Sequence, residues 1–212
     1  MIITKQKDFQ DLLRCIGSKP VFLIGCSECA TVCHTGGKDE VLQLKEELHK
    51  KNIPVTGWVV LEPACHLMND KRMLKEYTAE LGKSEKILVL ACGNGVQTVA
   101  ELLSEKEVIA GTDTLFLGEI CRSDEFDERC ILCGECLLDD FGGICPVTRC
   151  PKGMLNGPCG GSSHGKCEIN GEMECVWDRI YQELKKKGKS KTFLVIQKPK
   201  DWSKSSEMKR RI

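Results

Sequence analysis

The chain has 212 residues, 31 basic and 31 acidic side chains, and 15 cysteines against 6 Phe, 3 Trp and 2 Tyr. That length suits one ordinary domain plus a smaller one, and no apolar run approaches the roughly 20 residues that span a bilayer. An odd cysteine count, with gaps of two and three residues, argues against a secreted disulfide scaffold. The N-terminal MIITKQKDF has no long apolar stretch after a basic start, so the expectation is a cytoplasmic protein whose thiols stay reduced and free to bind metal. The neutral total hides an asymmetry: Lys185 to Ile212 holds 11 basic and 2 acidic residues, which leaves −9 on the first 184. Blocks of like charge are usually solvated tails. Only Phe193 and Trp202 fall among these lysines, short of the aromatic series a stacking platform requires, so no nucleic-acid role is expected.

The first 120 residues alternate strand and helix. Val21-Phe22-Leu23-Ile24 is a short apolar strand ending at Gly25-Cys26. Asp39 to Lys51 reads as a helix with Val41, Leu44 and Leu48 at helical spacing, and Val55 to Leu61 is a second strand. Asn69 is expected to cap a helix carrying Met73, Leu74, Tyr77 and Leu81, stopped by Gly82. Ile87 to Leu90 is a third strand, Val96, Val99, Leu102 and Leu103 line a third helix, and Thr114 to Leu117 is expected as a further strand. This alternation implies an α/β domain, residues 1–120, with a doubly wound parallel sheet and right-handed crossovers.

Cysteines stand at the ends of these strands. Cys26 follows the first, Cys65 the second and Cys92 the third, and open α/β sheets build their sites at the carboxyl ends of strands. Lone buried cysteines behave as small apolar residues, which suits Cys15 or Cys121 but not three successive strand ends. From 122 to 175 there are eight cysteines, many glycines and little hydrophobic periodicity. A segment so poor in apolar side chains needs metal ligation to hold it. Residues 121–184 are therefore expected to form a cysteine-rich, metal-stabilised segment. It would end in a helix from Cys175 to Lys187 with Trp177, Ile180, Tyr181 and Leu184 as its apolar face. Residues 185–212 form a basic tail, with Thr192 to Gln197 as a closing strand.

Cys130, Cys133 and Cys136 carry the sharpest local signal, C-x2-C-x2-C. Three thiolates at that spacing can each take a different iron of one 4Fe–4S cluster, with a fourth cysteine farther along and often before proline. Cys145-Pro146 and Cys150-Pro151 both qualify, although eight residues separate Cys136 from Cys145 where the ferredoxin pattern has three. Zinc prefers two C-x2-C pairs. Cys26, Cys29 and Cys33 form a second triad, C-x2-C-x3-C, which Cys92 or Cys65 could complete. If Cys145 completes the Cys130 triad, then Cys150, Cys159, Cys167 and Cys175 remain as a set of four for a second cluster or a structural zinc. His34 and His66 each follow a cysteine, but a histidine beside a loop is more often solvated or hydrogen-bonded than a ligand. Gly93-Asn94-Gly95 follows a strand as a dinucleotide loop would, yet position 98 is Thr and no acidic residue stands at the required strand end. A sharp turn is the better account.

The stretch CPKGMLNGPCGGSSHGKCEINGEMECVWDRIYQEL, Cys150 to Leu184, resembles the methylenetetrahydrofolate reductase C-terminal domain family, as do GCSECATVCHTGG and ACGNGVQT upstream. The resemblance implies a small subunit that holds two or more 4Fe–4S clusters, with zinc as the alternative at one site. Such a subunit feeds electrons from ferredoxin or another redox protein to a flavin-containing large subunit that reduces methylene- to methyl-tetrahydrofolate. The family pattern matches at Cys26, Cys29, Cys33 and Cys92, and at Cys130, Cys133, Cys136, Cys150, Cys159, Cys167 and Cys175. Nothing in the chain resembles a flavin or folate pocket, so the chain alone is not expected to reduce a folate. The rival readings are a zinc-stabilised assembly module and a corrinoid or methyl-transfer accessory protein.

Overall fold

The computed structural model describes residues 1–122 and 125–205. The chain divides into two compact units, Met1–Phe116 and Leu117–Ile212.

The first unit runs β1 (Ile2–Gln6), α1 (Phe9–Ile16), β2 (Val21–Cys26), α2 (Cys29–Val32), α3 (Lys38–Lys50), β3 (Val55–Leu61), α4 (Leu67–Leu74), α5 (Thr78–Lys83), β4 (Lys86–Leu90), α6 (Gly93–Leu102) and β5 (Glu107–Ala110). Four of these strands form a sheet in the order β3-β2-β4-β5, and each pairing is parallel. All six residues of β2 are buried, as expected of a central strand covered on both faces. Its side chains alternate. Val21 and Leu23 pack with Leu88 and Leu90 beneath α1 and α3, through Leu12, Ile16, Val41, Leu44 and Leu48. Phe22 and Ile24 pack with Ile87 and Val89 on the other face, where Leu74, Leu81 and Val99 come from α4, α5 and α6. The sheet is thus doubly wound, as its sequence pattern implies. The strand order reverses between β2 and β4, so their carboxyl ends flank the crevice where such folds bind ligands.

Two expectations fail here for local reasons. The fourth parallel strand is β5, not Thr114 to Leu117, which lies within a longer strand, β6 (Thr112–Arg122), of a different sheet. The change of sheet occurs at Gly111, whose N–H reaches Val89 O at 2.8 Å while its carbonyl accepts from Lys7 N at 3.0 Å. A Cβ there would come within 2.5 Å of Leu90 Cδ2. Asn69 is not the cap of the next helix. His66 is, its Nδ1 accepting from Asn69 N–H at 3.2 Å, while the Asn69 amide donates back to Glu62 O at 2.8 Å. The helix is also split: a 3-10 turn, Lys75–Tyr77, separates α4 from α5.

β6 begins beside β1 in the first unit and continues into the second, where it pairs antiparallel with β7 (Glu125–Cys130). A single helical turn, α7 (Pro146–Arg149), precedes the C-terminal helix, α8 (Val176–Lys186). The second unit's core is small: Phe141, Val176, Trp177, Ile180 and Leu184. The Trp177 ring meets Phe141 and Phe193 edge-on at 5.3 and 5.9 Å between centroids. Tyr181, expected on the buried face, is exposed and touches Phe193 by its ring edge. Thr192 to Gln197 is not a strand. A 3-10 turn, Ser190–Leu194, occupies its first half. No sheet edge takes up the backbone of Gln197, which is instead held on both sides by the Asn156 amide at 2.7 and 2.9 Å. Residues 206–212 of the basic tail lie outside the described residues. Among the described residues, no helix is long and apolar enough to cross a membrane.

Candidate metal centre

In the first unit the sheet brings cysteines together from three strand ends. Cys26 is the last residue of β2 and is buried; Cys92 caps the N-terminus of α6 just after β4; Cys65 lies in the loop after β3. The Cys65 thiol is pushed up in pKa by its own burial first, then by the charges that Cys92, Cys26, Asp70 and Cys29 would carry. Cys92, Cys26 and Cys29 are thus the cysteines whose charges bear on Cys65; a metal bound there would deprotonate its coordinating thiols.

The loop carrying Cys26, Cys29 and Cys33 is tightly specified. The Cys26 N–H donates to Gly36 O at 2.8 Å, Ser27 N–H to Leu61 O at 3.0 Å, and Thr31 Oγ1 to Cys26 O at 2.7 Å. A Cβ on Gly36 would lie 1.9 Å from Leu90 O, so only glycine passes there. Cys29 and Cys33 stand one helical turn apart beside β1: Ile2 N–H donates to Cys29 Sγ at 3.5 Å, and Cys33 Sγ–H donates to Ile2 O at 3.7 Å. His34 faces Glu40, 3.7 Å from Nδ1 to carboxylate, and His66 is committed to its cap. Gly95 lets α6 approach Ala64 and Ala91 closely, and Gly93 N–H donates to Thr114 Oγ1 at 2.7 Å. Packing and turn geometry thus account for the Gly93-Asn94-Gly95 sequence.

Asp70, which the sequence does not single out, is wholly buried in the first turn of α4, and neither carboxylate oxygen meets a donor at bonding geometry. Burial raises its pKa, with the His66 amide and ring offsetting this only in part. An acidic residue early in a helix reads as an ordinary dipole partner, so no sequence signal marks it.

In the second unit Cys150, Cys159, Cys167 and Cys175 line one cavity, together with Pro151, Lys152, Glu168 and Trp177. A small antiparallel clamp sets two of them: Cys167 N–H donates to Met173 O at 2.9 Å and Cys175 N–H to Gly165 O at 2.8 Å. Cys175 also caps the N-terminus of α8, and Cys150 follows α7, its N–H on Pro146 O at 3.0 Å. Cys159 Sγ–H donates to Glu168 at 3.5 Å, and Glu168 also pairs with Lys152. The Trp177 indole nitrogen is buried with no acceptor. Four soft donors lining one cavity beside the buried Trp177 suit a metal–thiolate group.

Cys130 ends β7, and its Sγ accepts from Leu132 N–H at 3.3 Å. Cys133 is buried, Cys136 exposed and Cys145 half-buried. Leu132 and Gly134 take positive φ, which turns the chain sharply between these cysteines. Lys200 and Lys204 of the basic tail lie on this loop. Lys204 Nζ meets Glu135 Oε1 at 2.6 Å, Lys200 Nζ meets Glu135 O, and Gly134 abuts the Lys204 backbone so closely that a Cβ would come within 2.7 Å of its carbonyl oxygen.

Cys15 and Cys121, read as candidates for small buried residues, are both exposed. Cys121 belongs to a group the sequence does not reveal: its sulfur and carboxylate oxygens of Glu119 and Asp127 lie within 4.8 Å of one another, gathered by the β6–β7 pairing. Arg129 already bridges both carboxylates. Among the described residues this is the one group of three donors so close together. Thiolates around tetrahedral zinc stand about 3.8 Å apart, given bonds of about 2.3 Å, and no three cysteines are drawn up at that spacing.

Comparison with curated proteins and with solved structures returned no match. Comparison with protein families returned one, described as methylene-tetrahydrofolate reductase C terminal, over residues 109–203. That span holds the cysteines from Cys121 to Cys175 and leaves the strand-end set of the first unit outside it. Over residues 109–203, somewhat less than half of its length, the chain is thus similar to the methylene-tetrahydrofolate reductase C-terminal family.

Proposed function

We propose that this chain holds at least two 4Fe–4S clusters on its cysteines and serves as the electron-transfer subunit of a methylenetetrahydrofolate reductase, passing electrons to the flavin of a partner subunit. The observation that carries the reading is the single cavity lined by Cys150, Cys159, Cys167 and Cys175 inside the family-matched segment. A bound cluster would supply one-electron transfer at a potential set by its hydrogen bonds and exposure.

The chain's own residues do the rest. Cys26 ends β2, Cys65 and Cys92 follow β3 and β4, and together with Cys29, and Cys33 one turn beyond it, they would supply ligands at the sheet's carboxyl edge. Cys130, Cys133 and Cys136 would present three thiolates on one loop, with Cys145 as the fourth, since Cys150 lines the other cavity. The lysines of the tail would steer an acidic partner, an attraction that salt weakens. Ferredoxin or another redox protein would be the donor.

Anaerobic purification followed by iron, sulfide and zinc counts tests the reading. A brown protein with about eight or more irons is expected, at four per cluster, and it should co-purify with a flavin-containing methylenetetrahydrofolate reductase large subunit. A colourless protein holding only zinc would replace this reading with the assembly module.

A further inference from the structure

We propose that Trp177 donates an indole N–H hydrogen bond to a sulfur of the metal group at Cys150, Cys159, Cys167 and Cys175, and that this bond raises the group's reduction potential. The inference rests on the cluster reading above and adds a residue that composition and periodicity present only as core.

Three observations carry it. Trp177 is 3% exposed, and its Nε1 has no hydrogen-bond partner. Indole nitrogen is a donor only, and a buried donor left without an acceptor is strongly disfavoured. The same side chain lines the cavity of the four cysteines, where sulfur is the abundant acceptor. Finally, Gly157, two residues before Cys159, packs over the five-membered ring of the indole: a Cβ there would lie 2.4 Å from Nε1 and 2.5 Å from Cδ1 and Cε2, so glycine lets the ring sit where it does. The ring itself is held by edge contacts with Phe141 and Phe193, so the donor's direction is fixed by packing.

The sign follows from charge. Reduction by one electron adds negative charge at the sulfurs without making or breaking a bond to the chain. A hydrogen-bond donor stabilises that added charge, so its presence raises the potential and its removal lowers it.

Trp177→Phe retains a ring for Phe141 and Phe193 and deletes the N–H. The variant should keep its iron, while the reduction equilibrium of one cluster falls about tenfold, about 59 mV for one electron. Gly157→Ala, which pushes the indole aside with the N–H intact, should shift the same cluster in the same direction. In the parent, exchange into D2O should move the iron–sulfur stretching bands of that cluster, a readout that needs no variant. Retained iron with an unchanged potential in both variants, or no deuterium shift in the parent, would overturn the role of Trp177 alone. A parent with zinc or no metal at these cysteines would overturn the cluster reading beneath it.

Discussion

Replacing Gly36 by alanine isolates the link between the first unit's fold and its cysteines. The new Cβ would lie 1.9 Å from the Leu90 carbonyl oxygen, whereas ordinary contact begins at 3.4 Å, so about 1.5 Å must be found between the loop and the end of β4. Both neighbours are backbone, and neither can rotate away. Overpacking of this kind costs about 1–3 kcal/mol. Separation also strains the Cys26 N–H bond to Gly36 O and the Gly36 N–H bond to Ala30 O, each worth about 1 kcal/mol net. A loss of about 2–5 kcal/mol is expected. With a urea slope of about 2 kcal/mol/M, the unfolding midpoint of this unit should fall by about 1–2.5 M. Gly82→Ala provides the control: it lies within α5 with nothing inside 4 Å of a Cβ, and should gain up to about 1 kcal/mol of helix propensity. Metal analysis of Gly36→Ala should show selective loss at Cys26, Cys29, Cys65 and Cys92, since the loop presents the first two. A variant with the parent's midpoint and full iron would refute the claim that this close approach holds the site.

Cys133→Ala should remove roughly four irons and leave the first unit's complement intact, with faster proteolysis between Cys121 and Cys175 as ligation is lost; loss of one zinc with all iron kept would contradict it. Leu184→Ala, in a fully buried position of the second core, should destabilise that unit by about 2–5 kcal/mol, measurable as a lower denaturant midpoint by tryptophan fluorescence. The tail contact should be pH-dependent in a defined direction. The Lys204 hydrogen bond holds Glu135 below the usual carboxylate range, and Glu135 raises Lys204 in return. A depressed carboxylate contributes above its unfolded pKa and is lost as pH falls through its folded pKa. Trypsin cleavage after Lys200 and Lys204 of acid-equilibrated protein, pulsed briefly at neutral pH, should therefore rise only once the equilibration pH drops below the ordinary glutamate range; Glu135→Gln should cut faster at pH 7, and indifference to both changes would rule out the contact between Glu135 and the tail.

The strands that make the doubly wound sheet were legible because buried parallel strands are continuous apolar runs: Val21–Cys26, Val55–Leu61 and Lys86–Leu90 stand out from any register of polar alternation. β5 was not, since Glu107–Ala110 has only four residues and its identity as a strand comes from pairing with β4. The closing strand at Thr192 to Gln197 failed for the converse reason: apolar composition without an edge to pair with does not make a strand, and Asn156 took the backbone instead. Cysteine spacing by itself determined the triads, because local motifs are written within a few residues. Strand ends and counting also suggested which cysteines belong together; that Cys150, Cys159, Cys167 and Cys175 line one cavity with Trp177 and Glu168 was decided only by tertiary structure. A short antiparallel clamp beside α8 sets Cys167 and Cys175 there. Trp177, Asp70 and the Glu119–Cys121–Asp127 group belong to the same class. A buried group lacking a partner, or donors meeting across a hairpin, is a property of the space between segments, and no single segment encodes it.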